Sequence, residues 1–241
     1  MSLAVIGGTG LMDFLDGETL PAGHNSFGQP SAAIIRSSVN GKPVLFLARH
    51  GNPHVVPPHK INYRANVFAL KAAGATEVLA INSVGGIDAS LEVGSLVVPH
   101  QLVDYTYGRE QTFFDGEHMP LSHIDFTEPF SPTLRKRVVM AMNNLQLPVV
   151  DNGVCAVMQG PRLETAAEID RLERDGCTVV GMTAMPEAAL ARELELSYAS
   201  VCVVVNAAAG RGDDAINMSD IERAMIVAVG QLRQLIERLC R

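Results

Sequence analysis

The sequence has no extended Lys/Arg-rich run, no paired-cysteine motif and no long apolar run, and each absence removes a class of function. Lys and Arg number 19 against 26 Asp and Glu in 241 residues, a net charge of −7. Without a Lys/Arg-rich run there is no electrostatic footprint for a nucleic acid, and a small-molecule partner is expected instead. The four cysteines, Cys155, Cys177, Cys202 and Cys240, are scattered, with neither a C-x-x-C pair nor a zinc-like spacing. At least three fall inside apolar or helical patterns and read as buried, reduced thiols. No apolar stretch approaches the ~20 residues that cross a bilayer. The first residues turn glycine-rich after six positions and carry Asp13, Asp16 and Glu18, which is unlike a signal peptide, so a cytoplasmic location without a membrane partner is expected. Internal repeats, low-complexity tracts and linkers are absent too, and a single domain over residues 1–241 is the economical reading.

What is present is an alternation of short apolar runs with helical patterns, the signature of an α/β fold with a mixed sheet covered by helices. Leu3 to Ile6 reads as a strand entering Gly7-Gly-Thr-Gly10. Ala33 to Arg36 and Val44 to Ala48 flank Asn40-Gly41, a pair suited to a tight hairpin because both residues tolerate positive φ. A helix from Asn62 to Ala73 stops at Gly74, and a strand from Glu77 to Ile81 runs into a glycine turn at Asn82-Ser-Val-Gly-Gly86. Val93 to Pro99 and Gln101 to Tyr105 read as strands. Residues 106–130 hold much of the aromatic content without a period and read as a long functional loop. Ser131-Pro132 starts a helix over 133–145. Strands at Val154–Met158, Thr178–Met182 and Tyr198–Val205 alternate with helices at Glu164–Arg174 and Pro186–Leu194. Ser219-x-x-Glu222 reads as a capping box for a last helix reaching Cys240.

Ligands of open α/β sheets collect beyond the carboxyl ends of the strands, which singles out a few stretches. The glycines at 7–10 would let backbone amides wrap an anion, with Thr9 adding a hydroxyl; a structural turn is the alternative. A dinucleotide site is disfavoured, because G-x-G-x-x-G is missing and the hairpin interrupts the βαβ unit. His50, His54 and His59 invite a metal, yet Pro53, Pro57 and Pro58 forbid the helix that would align them. Arg49 beside His50 suits a phosphate oxygen better. Ser83 and Thr183 supply hydroxyls after two further strands. Glu164 and Glu187 each have a plain alternative role as helix-start carboxylates.

Taken in order, GGTG at 7–10, RHG at 49–51, NYRANVFALKAAGA at 62–75, NSVGG at 82–86, FFDG at 113–116, EPF at 128–130, QGPRLET at 159–165 and GMTAMPEAALARE at 181–193 resemble the trimeric purine nucleoside phosphorylase family, most closely its methylthioadenosine phosphorylase branch. The resemblance spans almost the whole chain. It implies a phosphorylase-type mixed central sheet, partly barrel-like and flanked by helices, and a homotrimer. The implied reaction is phosphorolysis of a nucleoside to a free base and a ribose 1-phosphate, with inorganic phosphate as co-substrate and neither cofactor nor metal. Carried onto matching positions, phosphate falls to Thr9, Arg49, His50, Ser83, the backbone of Val84, and Thr183. Met182 lies along the ribose, Leu163 replaces a base-stacking phenylalanine, and His123 reaches a neighbouring subunit's site near the 5′ group.

Two departures from the adenine-specific branch bear on the substrate. That branch carries two aspartates where this chain has Asn206 and Ala208, and a serine where it has Glu164; Glu164 with Asn206 is the pair typical of phosphorylases for inosine and guanosine. The donor and acceptor count agrees. An ionised Glu164 accepts from N1–H of a 6-oxopurine, while Asn206 donates to O6 and its oxygen serves N7–H. Adenine would set its N1 lone pair against a carboxylate. At the 5′ side, residues 207–225 contain no histidine and offer Ile216 and Met218, which suit a methylthio group. The expected reaction is phosphorolysis of 5′-methylthioinosine. Inosine or guanosine, methylthioadenosine, and a non-catalytic nucleotide-binding module remain as alternatives.

Overall fold

The computed structural model describes residues 2–8, 11, 15–21, 23–212 and 216–241, the side chain of Met218 excepted. The elements in chain order are β1 (Leu3–Gly7), β2 (Glu18–Leu20), β3 (Ile34–Val39), β4 (Lys42–Ala48), α1 (Tyr63–Ala72), β5 (Glu77–Gly86), β6 (Leu96–Val97), β7 (Gln101–Asp104), α2 (Pro132–Asn144), β8 (Val149–Val150), β9 (Val154–Val157), α3 (Ala166–Arg174), β10 (Val179–Gly181), α4 (Ala184–Glu193), β11 (Ser197–Ala207) and α5 (Met218–Leu239). The expected β3–β4 hairpin forms antiparallel around Asn40 and Gly41, both at positive φ (50° and 76°), as a two-residue turn requires. Asn62 caps α1 by accepting from the Ala65 N–H, and Ser131 caps α2 by accepting from that of Leu134.

The sheet is organised around β5. It runs parallel to β11 along one edge from Glu77 to Gly86. On its other edge, residues 77–80 pair parallel with β1, whereas Gly85 and Gly86 pair antiparallel with β10. Between those two partners the edge carries no strand, and there the sheet opens. β1 continues into β4 and β3, β10 into β9 and β7, and β11 into β6 and β8. The result is one mixed, branched sheet of eleven strands among the described residues. β5 and β11 are buried on both faces, which is why their sequences read as continuous apolar runs instead of alternating ones. One core packs the α1 and α4 side, a second the α2 and α5 side, and α3 covers β9 and β10.

Several expectations are corrected. NSVGG is not a turn: β5 continues through it, because β11 pairs with it throughout and β10 picks up its last two residues. The Val93–Pro99 strand shortens to Leu96–Val97, and the short edge strands β2 and β8 were not expected. α3 begins at Ala166, so Glu164 lies outside it. The capping box at Ser219 does not form, since Asn217 is the cap and Ser219 lies inside α5 with its backbone N–H bonded to the Asn217 side chain. Residues 106–130 form no regular element, as expected for a long loop.

Candidate active site

A cleft of about 220 Å³ opens at the gap in the β5 edge. The carboxyl ends of β1, β4, β5 and β11 meet there, the switch point at which α/β sheets bind ligands. Arg49, one residue past β4, crosses the gap almost wholly buried (1% exposed). Its Nη1 donates to the Ile81 carbonyl at 3.1 Å, one of the β5 groups that no strand covers. Its Nε and Nη2 donate to Glu187 Oε2 and Oε1 at 2.8 and 2.9 Å, and the Tyr198 hydroxyl donates to the same carboxylate at 2.9 Å. Burial works against the guanidinium charge, but Glu187 outweighs it and holds the Arg49 pKa above its ordinary value. The bidentate pair fixes the fork and leaves other N–H groups for the cleft that Arg49 lines.

Glu187 does stand in the first turn of α4, as its helix-start alternative has it, but it is also fully buried and holds Arg49, a partner the sequence does not announce. The available signal was a charged residue set in the otherwise apolar stretch Met185-Pro-Glu-Ala-Ala-Leu190. α4 is regular only from Pro186, because Met185 has extended dihedrals.

His50 is neutral in this setting. Burial first, and the charge of Arg49 second, lower its pKa to about 4. Its Nδ1 lies 2.8 Å from the Val56 carbonyl, which can only accept, so Nδ1 carries the hydrogen and Nε2 is a bare acceptor. His54 stacks on it with ring centroids 4.3 Å apart and lines the same cleft. A Cβ at Gly8 would sit 3.3 Å from the His50 ring and 3.5 Å from Arg49 Nη1, so the absence of a side chain keeps this corner open. Thr183 donates to Asn82 Oδ1 at 2.9 Å, and Asn82 Nδ2 donates to Ser200 at 2.7 Å, a buried chain that sets the direction of the Thr183 hydroxyl. Ser83 and Val84 line the cleft beside it. Thr9 lies outside the described residues.

The opposite wall is built from the turn before α3 and a bulge in β11. Thr165 caps α3 in a reciprocal capping box with Glu168, and Arg162 pairs with Glu168 at 2.7 and 2.8 Å. The helix start is thereby satisfied without Glu164, whose carboxyl lines the cleft beside Leu163 with its pKa raised by burial. On β11 the register slips between Val204 and Asn206. This bulge sets two residues against one and lets Val205 and Asn206 both face the cleft, which plain alternation would forbid. Asn206 Nδ2 donates to the Ala207 carbonyl at 2.6 Å. Ala208 completes the wall, Met182 lies between the two ends, and Ile216 with Ile221 and Val205 forms an apolar end. Met218 begins α5, its side chain outside the described residues. His123 is exposed in the long loop and does not line the cleft of its own chain.

The fold and this cleft together define an α/β enzyme whose cleft sets a buried arginine, a neutral histidine and hydroxyls opposite a wall carrying a carboxyl and an amide. A family model described as the phosphorylase superfamily matches residues 2–241, and the chain belongs to that superfamily. It is 51% identical over 240 residues to a probable S-methyl-5′-thioinosine phosphorylase of Pseudomonas syringae pv. tomato, covering 98% of this chain and 97% of that one. It is 41% identical to the 6-oxopurine nucleoside phosphorylase of Pyrococcus furiosus, covering 92% of this chain and 86% of that one. Among solved structures, the methylthioadenosine phosphorylase of Schistosoma mansoni in complex with adenine superposes with a TM-score of 0.94 at 30% identity, over 99% of this chain and 90% of that one. Among the described residues, no helix is long and apolar enough to cross a membrane.

Proposed function

We propose that the chain is a 5′-methylthioinosine phosphorylase that converts this nucleoside and inorganic phosphate to hypoxanthine and 5-methylthioribose 1-phosphate. The observation that carries the reading is the polar make-up of the purine wall. Glu164 and Asn206 face one cleft, and Ala208 stands where a second carboxylate would be needed for adenine. A carboxylate accepts from N1–H of hypoxanthine and repels the N1 lone pair of adenine. Val205, Ile216 and Ile221 at the far end offer a thioether apolar surface and leave a 5′-hydroxyl without a partner there.

The anion corner fits hydrogen phosphate. Arg49 supplies charge and N–H donors, Ser83 supplies a hydroxyl, Thr183 supplies a second once its O–H turns from Asn82 to the anion, and the bare Nε2 of His50 accepts the P–OH hydrogen. Thr9 and the Val84 backbone complete the set. Attack breaks C1′–N9, whose electron pair leaves with the purine, and forms C1′–O to phosphate. The proton lost by hydrogen phosphate balances the one gained by the base. Phosphate beneath the ribose along Met182 stabilises the developing cation and is already placed to bond to it, while Asn206 favours the departing base at N7. No cofactor or metal enters this scheme.

The active form is taken as a homotrimer in which His123 enters a neighbour's cleft near the 5′ group. Exposed Val55, Tyr107 and Leu121, each at least 70% accessible, support burial of these loops between subunits. The deciding experiment compares kcat/KM for methylthioinosine, methylthioadenosine, inosine and guanosine under saturating phosphate. Methylthioinosine should lead; a lead for methylthioadenosine overturns the base assignment, and one for inosine overturns the 5′ assignment. No phosphate-dependent base release from any of the four removes the enzymatic reading.

A further inference from the structure

Arg109 is a cation with no carboxylate among its hydrogen-bond partners, although the charge of Asp104 attracts it. It sits half-buried in the 106–130 loop, and its guanidinium makes six hydrogen bonds, all to neutral oxygens. Nε donates to Gln159 Oε1 at 3.0 Å. Nη1 donates to the Met182 and Met185 carbonyls at 2.9 and 2.6 Å and to the Tyr63 hydroxyl at 3.3 Å. Nη2 donates to the Gln159 and Met158 carbonyls at 2.8 and 3.3 Å. The group lies over the Tyr63 ring, 5.5 Å from its centroid. An arginine on a long loop could stay in water at no electrostatic cost, whereas here burial pushes its pKa down. Something is gained by holding it among carbonyls.

Those carbonyls belong to two of the segments that lead into the cleft lining. Met158 and Gln159 lead into the turn that carries Leu163 and Glu164, and Met182 and Met185 flank Thr183. Because a trans peptide points its C=O and its following N–H in opposite directions, holding the Met182 carbonyl on Arg109 turns the Thr183 N–H away from Arg109. The Met185 carbonyl precedes the first regular turn of α4, at a residue with extended dihedrals, and Arg109 supplies its partner. A planar fork with five donors can bridge two backbone segments and a phenol at once; an ammonium cannot.

We propose that Arg109 is a positioning residue that locks the base-reading turn to the segment carrying ribose and phosphate, so that the purine wall and the anion corner keep one fixed separation. The claim rests on the site as read above. Fixed separation matters because the nucleophile must meet C1′ while the base is held, and a displacement of about 1 Å costs on the order of 100-fold in rate.

The test uses the full-length enzyme with Arg109→Lys and Arg109→Ala. Both should lower kcat for the best nucleoside, Lys by roughly 10-fold and Ala by roughly 100-fold, with a much smaller change in the phosphate KM. Ethylguanidinium should restore part of the Arg109→Ala turnover and ethylammonium should not. Hydrogen exchange, which needs no substrate, should rise in both 158–164 and 181–186 in the Lys variant. Parent-like kcat in either folded variant, equal rescue by both cations, or exchange that rises in one segment alone overturns the proposal. If Arg109→Ala does not fold, the Lys variant decides by the same kinetic and exchange criteria. Should the parent release no base from any nucleoside, the functional reading fails, while coupled exchange in the two segments still decides the lock.

Discussion

Glu164 shows how recognition and stability pull apart within one side chain. Burial raises its pKa above the ordinary 4.5, so the folded protein holds this proton more tightly than the unfolded chain does. The linkage has a definite sign: stability present below about pH 4.5 is lost as pH rises through the folded value. Glu164→Gln should therefore raise the Tm of the ligand-free enzyme near pH 8, with the gain vanishing below about pH 4.5. It should also cut kcat/KM for methylthioinosine by roughly 10-fold or more, because a neutral amide replaces the charged acceptor for N1–H. A Tm that falls at pH 8 would remove the strained-carboxylate account. The base preference itself is tested by Glu164→Ser with Asn206→Asp and Ala208→Asp, which should shift the ratio of kcat/KM for methylthioadenosine over methylthioinosine by roughly 100-fold. An unchanged ratio in a folded triple variant would take Glu164 and Asn206 out of the reading role.

Among the elements, the legible parts were those whose cause is local. The β3–β4 turn followed from Asn40-Gly41, the start of α2 from Ser131-Pro132, and the end of α1 from Gly74. What escaped depends on partners distant in sequence. Asn82 to Gly86 looked like a glycine turn, yet β11, about 120 residues later, holds it as strand; no nearby residue announces that pairing. The bulge at Val205 was equally silent, although it is what brings Asn206 to the cleft. Glu187 was visible as a helix-start carboxylate and does sit in the first turn of α4; what escaped is its partner, Arg49, 138 positions away. That pair now carries a prediction. Glu187→Ala strands a buried guanidinium and should cost about 3–5 kcal/mol by chemical denaturation, with the phosphate KM of the folded fraction rising more than the nucleoside KM. Loss below about 1 kcal/mol would mean that water or another group replaces the carboxylate.

For the whole molecule, the cleft is formed by one chain while the residue expected at the 5′ group, His123, is exposed in the long loop of that chain. A trimer reconciles the two, and it makes a prediction that no single-chain site makes. One variant, Asn206→Ala, weakens its own purine wall but keeps His123; a second, His123→Ala, keeps the wall but cannot serve a neighbour. Each homotrimer should be impaired at every site. After unfolding and co-refolding of the two, some clefts combine an intact Asn206 with an intact His123 from the adjacent subunit. Activity should then exceed the weighted mean of the two homotrimers, and activity per His123→Ala chain should rise as the Asn206→Ala chain is added in excess, because each His123→Ala subunit then meets an intact His123 more often. If His123 acted within its own chain, no mixture would contain a complete site, and activity would track the weighted mean at every ratio. A mass of one chain by sedimentation, with full activity, would refute the trimer directly and leave the 5′ end of the cleft to Ile216, Ile221 and Val205 alone.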